Sequence, residues 1–398
     1  MNRMHVDTIR ASIIAALCFT PSCLLAAWTS PDGSLTIGGN AELNFDVIHD
    51  DRGVHICAKD GGCKDGAAKG DPTTGKLTKA QLNDDSRILL QVEWNLTRDD
   101  GAFVSAQAEP LIRTDNQVLV DEAYLMFGYK KEWYFQLGRY EAMNLFPLGK
   151  DIAMFYAAGS DGIGEGIYYY MAKEARGRLD KAGQARIVGE MGQWTAEVST
   201  IYGNTADILK SSTIYRNDAE PNVSSDNNSF MVRPAINYQS ENNGWGVSFG
   251  GEYEVNKDSV TYAGPTDVAQ KYDLAHRYGL AATTTINTGQ LEWNTSVAWQ
   301  NAKESWKAWT VNSNIIYAGA AAIGASYAKN NFKHDATTYK TEDAKSYLIY
   351  TSYTVPILGF ENTAVTFALS YSDTKNAYGK KGVDEKTTAF RTRFNYYF

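Results

Sequence analysis

Five arginines, Arg87, Arg233, Arg277, Arg391 and Arg393, occupy the polar parity of stretches in which apolar and polar residues alternate. A second group, Tyr140, Glu141, Asp151, Asp161, Glu165, Tyr168 and Tyr170, is confined to residues 139–182. Guanidinium groups offer forked donors to carboxylates or to sugar hydroxyls. Tyrosine rings stack on the apolar faces of sugars while their hydroxyls exchange hydrogen bonds. A row of arginines facing a row of carboxylates across a narrow watery gap would set up a transverse field that orients dipolar solutes. This is chemistry of selection, with no covalent step. The arginines could equally neutralise Glu42, Glu93, Glu252 and Glu292, which share their parity, and hold the segment in place.

Two apparent motifs carry no chemistry. Gly162-Ile163-Gly164-Glu165-Gly166 resembles a phosphate cradle, but no strand precedes it and no helix follows. His276 lies on the parity opposite to Arg277, and no serine or aspartate is tied to it by a recognisable motif.

The elements that position these residues are read from alternation. Leu35, Ile37, Gly39, Ala41, Leu43, Phe45 and Val47 interleave with polar residues, a run long enough to cross a bilayer as a tilted strand. Residues 49–85 read as a polar loop. Ile88, Leu90, Val92, Trp94 and Leu96 resume the alternation, and Asp99-Asp100-Gly101 closes it with a hairpin signal. Similar runs recur to the end of the chain. Connections at Gly192-Gln193, Asn242-Asn243-Gly244, Asn287-Thr288-Gly289 and Ala318-Gly319 are tight, whereas 203–228, 256–274, 330–344 and 372–385 are long and polar. This asymmetry predicts an all-β fold, a transmembrane antiparallel β-barrel. An arginine facing lipid at mid-membrane would cost ~2–4 kcal/mol, so the five arginines are expected to face the lumen. Trp94, Trp245, Trp293, Trp299 and Trp309 fall on the lipid face as girdle residues.

The segment from Arg139 to Ala172 breaks the rhythm, with Phe146-Pro147, a glycine-rich stretch and the triplet Tyr168-Tyr169-Tyr170. It is too long and apolar for a surface loop, and the lumen is where a barrel could cover it. Gly164–Lys173 alternates like a strand, but making it one would put a long connection at the tight-turn end. Treating 139–182 as one inward excursion, the third external connection, yields sixteen strands; eighteen would follow if 164–182 held two more. Phe146 and Phe155 are expected to wedge this segment against the wall, while the tyrosines could wedge or meet solute.

Residues 1–27 read as a secretory signal, with Arg3 and Arg10, an apolar core from Ala11 to Leu25, and an Ala26-Ala27 exit. The remainder, 28–398, reads as one unit. Cys57 and Cys63, six apart in a polar loop, are expected to form a disulfide, since Asp60, Asp65, His49 and His55 make a poor metal set. A net charge of −8 argues against nucleic-acid binding, and 25 tyrosines with a mean hydropathy of −0.38 suit a wet interior and aromatic girdles. No cofactor or metal is implied.

Phe390, Thr392, Phe394, Tyr396 and Phe398 share one face of the last strand. This resembles the C-terminal assembly signature of Gram-negative outer-membrane barrels, implying recognition of Phe398 by the assembly machinery and contact with outer-membrane lipid and lipopolysaccharide. The runs Asp121–Leu125, Leu137–Ala142 and Leu145–Asp151 resemble the fourth strand, fifth strand and inward loop of the raffinose-type carbohydrate porins. That resemblance implies passive diffusion of sugars or oligosaccharides, without enzymatic activity, in the outer membrane. A general porin for small charged solutes is the alternative; a barrel enzyme or adhesin would need a loop motif that is not found. The organisation is shared with trimeric general porins, which leaves a homotrimer open, although their Pro-Glu-Phe-Gly loop tip is absent.

Overall fold

The computed structural model describes residues 27–56, 72–82, 86–149, 163–164, 166–172, 181–206, 222–225, 227–263, 271–333, 342–360, 362–379 and 381–398. The signal segment 1–26, the cysteine pair Cys57 and Cys63, and Asp151, Phe155, Asp161 and Glu165 lie outside the described residues.

Sixteen antiparallel strands close a barrel. They are β1 (Leu35–Ile56), β2 (Arg87–Thr97), β3 (Ala102–Arg113), β4 (Val118–Tyr129), β5 (Trp133–Arg139), β6 (Ala182–Met191), β7 (Trp194–Gly203) and β8 (Ser229–Gln239). The circuit continues through β9 (Trp245–Glu254), β10 (Arg277–Asn287), β11 (Leu291–Ala302), β12 (Trp306–Tyr317), β13 (Ala321–Phe332), β14 (Ala344–Pro356), β15 (Thr363–Lys375) and β16 (Glu385–Tyr397). Closure comes from β1, which pairs with β2 on one edge and with β16 on the other, Asn40 opposite Tyr397 and Arg52 opposite Glu385. Phe398 extends this seam, its N–H donating to Gly39 O at 3.0 Å and its carbonyl accepting from Gly39 N at 2.7 Å.

Period-two sequence becomes two-faced wall. Along β14, Lys345, Tyr347, Ile349, Thr351 and Tyr353 are exposed, while Ala344, Ser346, Leu348, Tyr350 and Ser352 are buried. A one-residue slip would exchange the faces, so the apolar exterior fixes the register of each strand. The buried residues form one core cluster, in which segment residues Leu145, Phe146, Leu148 and Ile167–Ala172 pack with wall residues such as Ala281, Ala308, Ala328 and Tyr350.

The first external connection differs from expectation. Residues 49–85 do not form a loop throughout: β1 runs on to Ile56, and Pro72–Leu82 pairs with its outer half, opposite Phe45 to Ile56. Hydrophobic alternation reports where a strand crosses apolar medium. It falls silent in this ribbon, where His49-Asp50-Asp51-Arg52 puts polar residues on both parities of the sequence. The expected loops 203–228 and 256–274 likewise contribute a small sheet, from Asn222–Ser224, Thr261–Ala263 and Lys271–Asp273. At the same end, 114–117 and 303–305 are short turns between β3 and β4 and between β11 and β12.

The excursion between β5 and β6 leaves the wall intact. The two strands pair directly, Gly138 opposite Gln184 and Trp133 opposite Gly189. Within the excursion, Ile163–Gly164 and Ile167–Tyr168 pair only with each other, so neither is a wall strand.

Candidate functional site

The excursion is anchored at its root by a buried charge cluster. Arg186 on β6 donates from Nε to Gln136 Oε1 at 2.7 Å and from Nη1 to Glu197 Oε2 at 2.8 Å, and lies over the ring of Tyr140 at 4.7 Å. Glu197 on β7 also accepts the Met143 N–H at 3.0 Å and lies 3.7 Å from Arg233. A buried ion pair repays its desolvation only with good geometry and additional hydrogen bonds, and Glu197 has both. The cluster thereby fixes the direction in which the chain leaves β5.

From the root, the first leg crosses β6 to β14, and inward side chains meet its backbone carbonyls. Arg233 on β8 donates to Met143 O at 2.5 Å, and Thr283 on β10 donates to Leu145 O at 2.5 Å. Asn312 and Asn314 on β12 donate to Pro147 O at 3.3 and 3.0 Å, and Tyr350 on β14 donates to Leu148 O at 2.8 Å. These bonds satisfy carbonyls that a buried irregular backbone would otherwise leave orphaned. The return leg is held similarly. Asn330 on β13 accepts from Tyr168 N at 2.6 Å and donates to Tyr168 O at 2.9 Å; Tyr169 Oη donates to Ser346 Oγ at 2.6 Å, and Tyr170 Oη to Glu252 Oε1 at 2.5 Å. Tyr168 packs edge-on against Trp306, centroids 6.0 Å apart.

Small residues give this segment its seat. Inward positions on β8 to β13 include Ala235, Gly250, Gly279, Ala281, Ala298, Ala308 and Ala328. A Cβ on Gly250 would lie 2.6 Å from Leu145 Cδ1, and one on Gly279 would overlap the Tyr170 hydroxyl. The wall opposite, β16 and β1 to β4, instead carries charge. Arg391 makes a bidentate pair with Asp46, Nε–Oδ1 2.6 Å and Nη2–Oδ2 3.0 Å. Arg393 reaches Asn44 Oδ1 at 2.8 Å and Glu42 Oε1 at 3.0 Å, and Arg87 lies 3.9 Å from Glu42 Oε2. Beside them, Tyr124 Oη donates to Gln107 Oε1 and Gln107 Nε2 to Glu109 Oε1, both at 2.7 Å.

The five arginines thus lie on the inward parity but do not form one basic wall. Arg87, Arg391 and Arg393 join β16, β1 and β2; Arg233 holds the segment from β8; Arg277, 1% exposed, is buried near Glu254. Tyr140, Tyr168 and Tyr170 are at most 6% exposed, so their rings pack instead of presenting a face to solvent. Glu141 is exposed, its N–H donating to Glu122 Oε1 at 3.0 Å and its carbonyl accepting from Arg186 at 3.3 Å. Sequence reasoning missed Arg186 and Glu197, although each occupies the polar parity between apolar neighbours, the same signal that marked the other arginines. It also missed the seat, whose signal was the run of inward glycines and alanines.

The profile of the family described as porin-like glycoporin RafY matches residues 37–398. No curated protein sequence matches the chain. Among solved structures, a loop L8 deletion mutant of OmpT, an outer membrane protein of Vibrio cholerae, is 12% identical with a TM-score of 0.54, covering 92% of this chain and 100% of that one. The outer membrane channel DcaP of Acinetobacter baumannii is 13% identical with a TM-score of 0.53, covering 94% and 100%. An anion-selective porin from Comamonas acidovorans is 13% identical with a TM-score of 0.51, covering 92% and 99%. At such identities these structures share the fold with this chain.

Proposed function

Because the chain belongs to the porin-like glycoporin RafY family of the Gram-negative outer membrane, we propose that it lets sugars or oligosaccharides diffuse passively through a lumen narrowed by residues 139–182. That it is an outer-membrane porin passing hydrophilic solutes follows from the family. The finer reading, sugars through a constriction, rests chiefly on the bonds from β8, β10, β12 and β14 to the carbonyls of Met143, Leu145, Pro147 and Leu148. A segment held this way against one half of the wall reduces the bore and leaves the polar wall of β16 and β1 to β4 facing it. On that wall the arginines are paired with Asp46 and Glu42, so much of its charge is spent locally. What remains is a rack of hydroxyl, amide and carboxylate groups, with Tyr124, Gln107 and Glu109 among them, suited to neutral polyhydroxylated solutes. The segment and wall select by width and hydrogen bonding, and the reading requires no covalent step.

Proteoliposomes should swell in isosmotic mono-, di- and trisaccharide solutions at rates that fall steeply with solute size. Replacing Tyr350 by Phe and Asn314 by Ala removes donors from Leu148 O and Pro147 O, and should raise the trisaccharide rate most. Equal rates for every sugar in both proteins, or no swelling, would sink the reading.

A further inference from the structure

Two of the carboxylates that share the arginines' parity, Glu93 on β2 and Glu292 on β11, are not used to neutralise them. Glu93 accepts from Ser105 Oγ at 3.4 Å and Glu292 from Asn294 Nδ2 at 2.8 Å, both uncharged donors. Glu190 on β6 shares the inward parity of Arg186, yet Arg186 turns to Glu197. None of the three glutamates has an ion pair among the described residues. Their register partners are uncharged as well: Thr36 and Gln107 for Glu93, Thr195 for Glu190, Asn287 and Ile316 for Glu292. Lys130, in the turn after β4, attracts Glu93 without pairing with it. The arginines of the wall, by contrast, are answered by Asp46 and Glu42.

Position decides what these three charges can do. Each glutamate is half-buried on the inward parity, in the half of its strand nearest a short turn. Glu292 lies next, along the inward parity, to Asn294, whose register partner Asn314 bonds Pro147 O. Glu190 lies beyond Arg186 and Val188, on the short-turn side of the segment's root. In the sixteen-strand circuit, β2, β6 and β11 are four, five and seven strands apart, so the charges are spread around the bore. Carboxylates distributed around a bore favour cations by their summed field.

We propose that Glu93, Glu190 and Glu292 form a ring of fixed negative charge at the periplasmic exit of the lumen, which gives small cations preference over anions. Its reach is set by screening, ~10 Å at 0.1 M salt and ~3 Å at 1 M, so the ring acts across the bore only in dilute salt. Three charges working through water give a modest preference, about threefold. The inference needs a conducting barrel and is independent of whether sugars are the solutes.

The test is the reversal potential of the full-length barrel in planar bilayers under potassium chloride gradients. Near about 0.1 M, potassium should be favoured about threefold over chloride, and the preference should fade near about 1 M. The E93Q/E190Q/E292Q variant should lose it in dilute salt. E190Q and E292Q singly, each near a strand end, should lose part of it, and they carry the test if the triple variant does not fold. Asp258→Asn removes an exposed carboxylate from an external loop and should leave the preference unchanged. Heat-modifiable mobility on gels checks that each variant is folded. No preference or an anion preference in the unaltered protein, a preference undiminished at about 1 M, full preference in the ring variants, or an equal loss in Asp258→Asn would overturn the proposal.

Discussion

Asp46 and Arg391 face each other across the seam where the first and last strands meet, both buried and joined by two hydrogen bonds. Removing either partner leaves the other charged inside the wall without its two-bond counter-ion, and Asp46→Leu or Arg391→Met alone should destabilise by ~3–5 kcal/mol. The double variant should lose much less, and a cycle of urea unfolding midpoints in lipid vesicles measures the difference. Alternation assigned both residues to the inward face but could not pair them, because the partners are 345 residues apart and meet only through closure. The tyrosine triplet shows the same limit. Composition makes Tyr168 and Tyr170 as fit for stacking on sugars as for packing, and only the seat on β9 to β13 decides that they pack. Gly279→Ala would drive a methyl group into the Tyr170 hydroxyl and loosen its bond to Glu252. The expected cost is ~1–3 kcal/mol of overpacking, read as noisier single-channel current from a barrel whose heat-modifiable gel shift is retained.

At the level of elements, the strands that cross apolar medium were legible and the ones that leave it were not. The sixteen wall strands follow from period-two runs, because an apolar exterior imposes alternation on each crossing. The ribbon of Phe45–Ile56 with Pro72–Leu82 has no such constraint along most of its length, and 49–85 reads as loop. Since β1 already pairs with β2 over Leu35–Glu42 and with β16 over Asn40–Arg52, shortening 53–71 to a tight turn should leave channel conductance unaltered; loss of the channel would assign 53–71 a part in closure. Phe398 belongs to that closure, with both its backbone groups bonded to Gly39. Deleting Phe398 should lower the yield of folded barrel several-fold, measured as the heat-modifiable fraction in isolated outer membranes, while barrels that do fold conduct normally.

For the molecule as a whole, the two halves of the inner wall do different work. One half, β8 to β14, is small and mostly uncharged and bonds the segment; the other, β16 and β1 to β4, carries charge, with Arg391 paired to Asp46 and Arg393 and Arg87 to Glu42. Residue types alone suggested a field between an arginine row and an acidic loop. Pairing within the wall weakens that field and turns the account towards neutral solutes. The most direct test is single-channel current across a planar bilayer containing the protein, with mono- and oligosaccharides added to one side. The account predicts a stable ohmic channel, a small reversal potential in a salt gradient, and current block that deepens with oligosaccharide concentration. A strongly ion-selective channel whose current no sugar alters would contradict it.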